Sequence, residues 1–242
     1  MTLHGRIVLV TGAAKRLGRA IALALARRHA RVVISYRSSS RDALVTVREL
    51  GRCGAQAFAV RADLSKSTDV KHLMTRIRQR FGRLDILINS AANFERTPFV
   101  TLTERDWDQA IDTNLKGSFL CALYGSRLMG KGGKIVNLAD WSGVRPYRDY
   151  LPYCVSKAGV IGLTKALAKE LAPSIQVNAI APGPILPPEG MSARERARII
   201  RRVPLKRWGR PEDIVNTVLF LIEGTDFMTG STVFVDGGQL IA

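Results

Sequence analysis

The stretch IVLVTGAAKRLGRAIALALARR, residues 7–28, decides the fold. Ile7 to Val10 is an unbroken apolar run ended by Thr11 and Gly12, the pattern of a strand buried on both faces. From Arg16 onward the apolar residues Leu17, Ala20, Ile21, Ala24 and Leu25 recur at three and four, which lays one stripe of a helix against a sheet. The same alternation continues to the end of the chain. Strands are expected at Val32–Ser35, Ala57–Ala62, Ile86–Asn89, Ile135–Leu138, Gln176–Ala181 and Thr232–Val235, with helical patterns between them. Near-continuous apolar strands alternating with helices predict an α/β fold: a doubly wound, seven-stranded parallel sheet with helices on both faces. Ligands in such sheets bind at the carboxyl ends of the strands.

The 242 residues suit one large α/β domain, and no Pro/Gly-rich linker, internal repeat or low-complexity tract divides them. One segment breaks the rhythm: PGPILPPEGMSARERARIIRRVPLKRWGR, from Pro182 to Arg210, has five prolines and a short amphipathic helix pattern. A loop of that length on the ligand side predicts a substrate lid over about residues 183–210. Cys53, Cys121 and Cys154 are widely spaced and odd in number, so neither a disulfide framework nor a metal site is expected. Reduced thiols and the lack of any long apolar span point to a cytoplasmic protein with no membrane association. The net charge of +17 favours anionic partners, but the basic residues are spread over many segments, as solvated faces also would be.

Backbone amides at a helix N-terminus attract phosphate, which makes the loop Gly12, Lys15, Arg16, Leu17 and Gly18 a candidate cofactor site. Arg16 stands where a middle glycine is usual. Lys15 and Arg16 are either exposed turn residues or extra cations for a further phosphate. The second strand ends in Tyr36, Arg37, Ser38 and Ser39, with a cation, hydroxyls and no carboxylate, which favours NADPH over NADH. Asp63 after the third strand, followed by Leu64, is placed either for an adenine amino group or as a helix cap.

In YCVSKAGVIGLTKALAKELA, Tyr153 and Lys157 lie four apart and so share a helix face. An ammonium beside a phenol is expected to lower its pKa and make it a usable proton donor near neutrality. With TGAAKRLG, ADLS, LINSAA, DTNLKGSF, IVNLAD, YCVSK, VNAIAPGP and FVDGG in order, the whole chain resembles the short-chain dehydrogenase/reductase family. The resemblance implies a single-domain Rossmann fold binding a dinucleotide. It implies that Asn114, Tyr153 and Lys157 are catalytic, with Lys157 also gripping the nicotinamide ribose and Asn114 holding a water in a proton relay. Asn89, Ser90 and Ala91 are implied to approach the cofactor, Asn89 while stabilising the central sheet, and Pro182 and Gly183 to sit beside the nicotinamide. It also implies a homotetramer.

Asp140 lies thirteen residues before Tyr153, where most of that family has a serine that hydrogen-bonds a substrate carbonyl; Ser142 is two residues too late. An ionised aspartate repels the oxyanion that grows as a ketone is reduced. Beside Tyr153 it disfavours ionisation of both groups, so the pair is expected to hold a proton, which suits donation to nitrogen when hydride adds to a C=N bond. The pteridine reductase branch is similar in having an aspartate here, an arginine in the glycine loop, and a phenylalanine that stacks the pterin, matched by Phe94. Asp140, Trp141, Tyr153, Arg16 and Phe94 are therefore the expected substrate-binding residues, with Arg16 bridging cofactor phosphate and substrate. Ala92 replaces a serine that helps bind the pterin in that branch. Trp141 takes the place of a smaller residue and either fills the pocket or stacks on a ligand.

The expected activity is thus NADPH-dependent reduction of a pterin, dihydropterin or dihydrofolate. The alternative is a 3-oxoacyl-acyl-carrier-protein reductase or another carbonyl reductase, for which the basic residues from Arg194 to Arg210 would face an acidic carrier. A non-catalytic NADPH sensor needs no Tyr153, Lys157 and Asn114. No RNP-like aromatic motif or continuous basic recognition helix suggests nucleic acid.

Overall fold

The computed structural model describes residues 1–188 and 190–242. In chain order the first half is β1 (Ile7–Val10), α1 (Arg16–Arg27), β2 (Arg31–Tyr36), α2 (Ser40–Arg52), β3 (Ala57–Arg61), α3 (Ser67–Phe81) and β4 (Ile86–Asn89). Next come α4 (Glu104–Ala110) and α5 (Gly117–Ser126), joined without a break by a π-helical stretch, Ile111–Lys116. The rest is β5 (Gly133–Leu138), α6 (Leu151–Leu171), β6 (Ile175–Pro182), α7 (Ala193–Arg202), α8 (Pro211–Leu219) and β7 (Thr232–Val235). All seven expected strands form, with β2, β5 and β6 slightly longer than their apolar runs and β3 one residue shorter.

The strands make one parallel sheet in the order β3-β2-β1-β4-β5-β6-β7. The chain winds outward from β1 to β3, returns to β4 on the other side of β1, and winds outward again. That reversal opens a crevice above the carboxyl ends of β1 and β4.

Side chains of β1 alternate between two cores. Val8 and Val10 pack with Ile21 and Leu25 of α1, Leu50 of α2 and Ile214 and Val218 of α8. Ile7 and Leu9 pack with Val70, Leu73 and Ile77 of α3 and Leu120 of α5 on the other face. Every residue of β1, β4 and β5 is buried, which is why β1 reads as an unbroken apolar run and why β4 and β5 are apolar apart from Asn89, Lys134 and Asn137. At about 1.5–3 kcal/mol per buried large aliphatic side chain, this double-sided core dominates what holds the sheet together.

Candidate active site

The carboxyl ends of the central strands open into a cleft of about 1660 Å³ that runs from the glycine loop to the segment after β6. At its phosphate end, Gly12 has φ +63°, and a Cβ there would lie 2.7 Å from the Cα of Ala91. A Cβ on Gly18 would meet the Gly12 carbonyl at 2.8 Å. Both glycines therefore let backbone pack on backbone, holding the loop against β4 and the first turn of α1. Thr11 closes the same seam: its Oγ1 accepts hydrogen bonds from the amides of Ser90 (3.0 Å) and Ala91 (3.1 Å). Lys15 and Leu17 line the cleft, Lys15 exposed and Leu17 half-buried.

Arg16 differs from expectation. It adopts φ +54°, and its guanidinium donates to the carbonyls of Leu186 (3.2 Å) and Pro187 (3.1 Å). It thus ties the glycine loop to the segment after β6 through Nη2 while lining the cleft.

At the end of β2, Tyr36 is half-buried and Arg37 and Ser38 are exposed, with no carboxylate among them. Asp63 lines the cleft and accepts hydrogen bonds from Ser65 Oγ (2.7 Å) and the Ser65 amide (3.1 Å). Burial raises its pKa, but the Ser65 bonds and the charges of Arg37 and Lys66 outweigh that and hold it below the ordinary value. Asp63 therefore closes a short turn; Lys66, not Asp63, occupies the cap position of α3. Leu64 is buried beside it on the cleft wall.

Two asparagines hold neighbouring elements together. Asn89 is buried, donating to Asn137 Oδ1 (2.9 Å) and the Ser118 carbonyl (3.3 Å). It stabilises the central sheet as expected but does not line the cleft. The Asn114 side chain accepts from the Asn93 amide (2.9 Å) and donates to the Asn93 carbonyl (3.2 Å) and Ser156 Oγ (3.0 Å). The side-chain amide thus pins the loop after β4 to α6, and its Oδ1 keeps a second lone pair. The π-helical stretch that presents Asn114 is of a kind frequent at functional sites.

Asp140 follows β5 and caps a single helical turn, Trp141–Gly143, by accepting from the Ser142 amide at 2.8 Å. Its two oxygens also accept from two phenols: Tyr153 at 2.9 Å on Oδ2 and Tyr147 at 3.2 Å on Oδ1. Burial, followed by the Asp140 charge, pushes the Tyr153 pKa well above its ordinary value. Tyr147 is raised by the same two causes in the same order.

Lys157 lies one turn along α6, its Nζ 2.6 Å from the Leu138 carbonyl and 5.7 Å from the Tyr153 ring centre. Burial brings its pKa down to about 8, opposed by Asp140. The expected lowering of the Tyr153 pKa by Lys157 is thus absent in this state: the ammonium faces a carbonyl while the phenol faces a carboxylate.

Phe94 is 44% exposed and stacks face to face on Tyr150, with centroids 4.6 Å apart and planes at 13°; it meets Tyr153 edge-on at 4.7 Å. Trp141 is buried and packs edge-on against Tyr147 at 5.2 Å, so it fills space beside Asp140. Pro182 and Gly183 line the cleft, and a Cβ on Gly183 would come within 2.6 Å of the Asp236 Cα. Ala92 is exposed on the cleft wall. Sequence reasoning missed Tyr147, Tyr150 and Ser156. The first two carried a signal, since Tyr147, Tyr150 and Tyr153 recur every third residue.

The sequence profile of a family described as enoyl-(acyl carrier protein) reductase matches residues 12–239. The 3-oxoacyl-[acyl-carrier-protein] reductase of Staphylococcus epidermidis is 38% identical over 237 residues, covering 96% of this chain and 97% of the relative. A short-chain dehydrogenase/reductase from Serratia marcescens superposes with a TM-score of 0.94 at 26% identity, covering 99% of this chain and all of that one. The chain belongs to the short-chain dehydrogenase/reductase family. A blue fluorescent protein from a metagenomic library, solved in complex with NADPH, superposes with a TM-score of 0.92 at 26% identity over 99% of both chains.

Membership makes the protein an oxidoreductase of nicotinamide cofactors. The name of its Staphylococcus relative falls on the carbonyl reductase that the sequence reading placed second, and not on the pteridine branch. Among the described residues, no helix is long and apolar enough to cross a membrane, and no cluster of His, Cys, Asp and Glu could hold a metal.

Proposed function

We propose that this reductase uses NADPH to reduce a C=N bond in a planar heterocycle of the pterin, dihydropterin or dihydrofolate type. The cofactor end of the cleft fits NADPH: the glycine loop presents the N-terminus of α1, and Arg37 stands where a carboxylate would select the 2′-hydroxyl. When bound, the cofactor supplies the hydride to the ring carbon. The observation that carries the substrate reading is the 2.9 Å hydrogen bond from Tyr153 to Asp140. Tyr153 holds its proton near neutrality, and giving it to the ring nitrogen requires the Lys157 ammonium to offset the burial and the Asp140 charge that raise the phenol pKa. Hydride on carbon and this proton on nitrogen leave a neutral N–H, which can donate to Asp140; an oxyanion in the same place would meet an acceptor with no hydrogen to offer. Phe94 and Tyr150 supply the flat apolar wall that a heterocycle needs. Lys157 is assigned to the nicotinamide ribose, and Asn114 to fixing the loop that carries Phe94.

A second reading, reduction of a 3-oxoacyl thioester, is favoured by the name of the 38% identical relative and by the description of the matching family. NADPH oxidation measured in parallel with dihydrobiopterin, dihydrofolate and acetoacetyl-CoA separates the two. Turnover confined to acetoacetyl-CoA overturns the C=N reading and establishes the second. The exposed apolar residues Phe99, Val100, Phe119, Leu151 and Val155 on and beside α4, α5 and α6 support the homotetramer, for which a monomeric mass in light scattering would be the refutation.

A further inference from the structure

The segment after β6 contributes Arg198, Arg201 and Arg202 to the wall of the cleft, all from α7, and the loop after β5 contributes Arg145 and Arg148. Four carboxylates share that wall, Asp63, Asp140, Asp149 and Glu195, and each is committed elsewhere. Asp63 holds Ser65, Asp140 takes two phenols, Asp149 pairs with Arg96 at 2.7 Å, and Glu195 accepts from the Ser192 amide and hydroxyl. Among the described residues, Arg148, Arg198, Arg201 and Arg202 have no acidic partner.

The helix itself accounts for part of this charge: Glu195 stands three residues before Arg198, and Arg201 and Arg202 lie in the last turn, where the macrodipole favours cations. It does not account for the concentration, since Arg198 also has Arg194, Arg201 and Arg202 at three and four residues and Glu195 is the helix's one acidic residue. No residue of α7 is fully buried. Guanidinium groups are suited to two-pronged recognition of carboxylate and phosphate.

We propose that these arginines form a subsite for an anionic tail: the substrate carries, beyond its reacting group, an arm with two or more carboxylates or phosphates, held by Arg198, Arg201 and Arg202 with Arg148 across the same cleft. The inference rests on the cleft being a reductase site. It is independent of whether the reacting bond is C=N or C=O, because a polycarboxylate arm on a heterocycle and the phosphates of a thioester carrier share this chemistry.

The test compares substrates with and without the tail in both chemistries: dihydrofolate against dihydrobiopterin, and acetoacetyl-CoA against ethyl acetoacetate. In whichever pair is turned over, the triple variant Arg198→Gln, Arg201→Gln, Arg202→Gln is expected to raise KM for the tailed member about tenfold or more, with kcat within about twofold. KM for the tailless member should stay put, and salt should raise KM for the tailed one alone in the wild type. Equal KM shifts for both members, or no salt dependence, overturn the subsite. Should the triple variant fail to fold, Arg198→Gln alone and the wild-type salt titration carry the comparison.

Equilibrium binding to the NADPH-loaded protein, folic against pteroic acid and coenzyme A against pantetheine, gives a readout free of turnover. Tail-dependent binding without turnover of any of the four substrates keeps the subsite and defeats the reductase reading; binding that ignores the tail defeats the subsite.

Discussion

The two halves of the cleft are built from different materials. The phosphate half, at the ends of β1, β2 and β3, is largely backbone: two glycines where chain crosses chain, the open N-terminus of α1, and a threonine that ties two strand ends together. The substrate half, beyond β4 and β5, is a mesh of side chains in which one carboxylate takes three hydrogen bonds and five aromatic rings lean on one another. A backbone site accepts what every dinucleotide shares, whereas a side-chain site can change its chemistry one residue at a time. Family membership therefore says much about the first half and little about the second.

Four measurements break or sharpen that contrast. The largest effect is expected in the side-chain half: Tyr153→Phe should lower turnover by about 100- to 10,000-fold while NADPH affinity, read by fluorescence titration, stays within about twofold. Unchanged turnover would remove Tyr153 from the chemistry.

Asp140→Ser should lower pterin turnover by roughly 100-fold and admit acetoacetyl-CoA. If the variant reduces pterins at the wild-type rate, Asp140 is a turn cap and no more.

In the backbone half, Arg37→Glu should raise KM for NADPH about tenfold and leave that for NADH nearly unchanged, since only one cofactor carries the extra phosphate. A loss shared by both cofactors would mean that Arg37 shapes the loop.

The smallest effect is one of stability. The buried Lys157 titrates at about 8 when folded, against an ordinary 10.5, so above pH 8 the unfolded chain binds more protons at this site. Stability of the ligand-free protein should therefore rise with pH from about 8, relative to Lys157→Met, by at most about 1.4 kcal/mol per pH unit. Above about pH 10 the raised Tyr153 pKa pulls the other way, because the unfolded phenol then loses its proton first. Urea midpoints of the two proteins at pH 7, 8 and 9 give the comparison, and parallel curves would place the Lys157 charge in water.

The parts legible in the sequence follow the same division. Central strands buried on both faces leave largely apolar runs, and the half-buried outer strands β3 and β7 keep short apolar or β-branched ones, so all seven could be read directly, with Gly12, Gly18, Tyr153 and Lys157 close to their ends. What was not legible depends on contacts between distant loops. The loop carrying Phe94 meets the loop carrying Tyr147 and Tyr150 through the Thr97 amide on the Asp149 carbonyl (2.7 Å) and the Arg96–Asp149 pair. Spacing along the chain shows neither the resulting stack nor the bonds from Asn114 to Asn93 and Ser156. The contacts of Arg16 were hidden for a related reason: its carbonyl partners lie about 170 residues away, and its left-handed backbone leaves no mark in a pattern of side-chain types.

Asp140 does two jobs, capping the turn that follows β5 and receiving both phenols. Serine caps a helical turn about as well as aspartate does. A serine there would keep the cap but strip the buried Tyr153 and the half-buried Tyr147 of their shared acceptor, at about 1–3 kcal/mol for a buried donor left unsatisfied. Exchange at this position is therefore opposed by the phenols packed on it, and a lineage that gives up the carboxylate must refit its tyrosines as well.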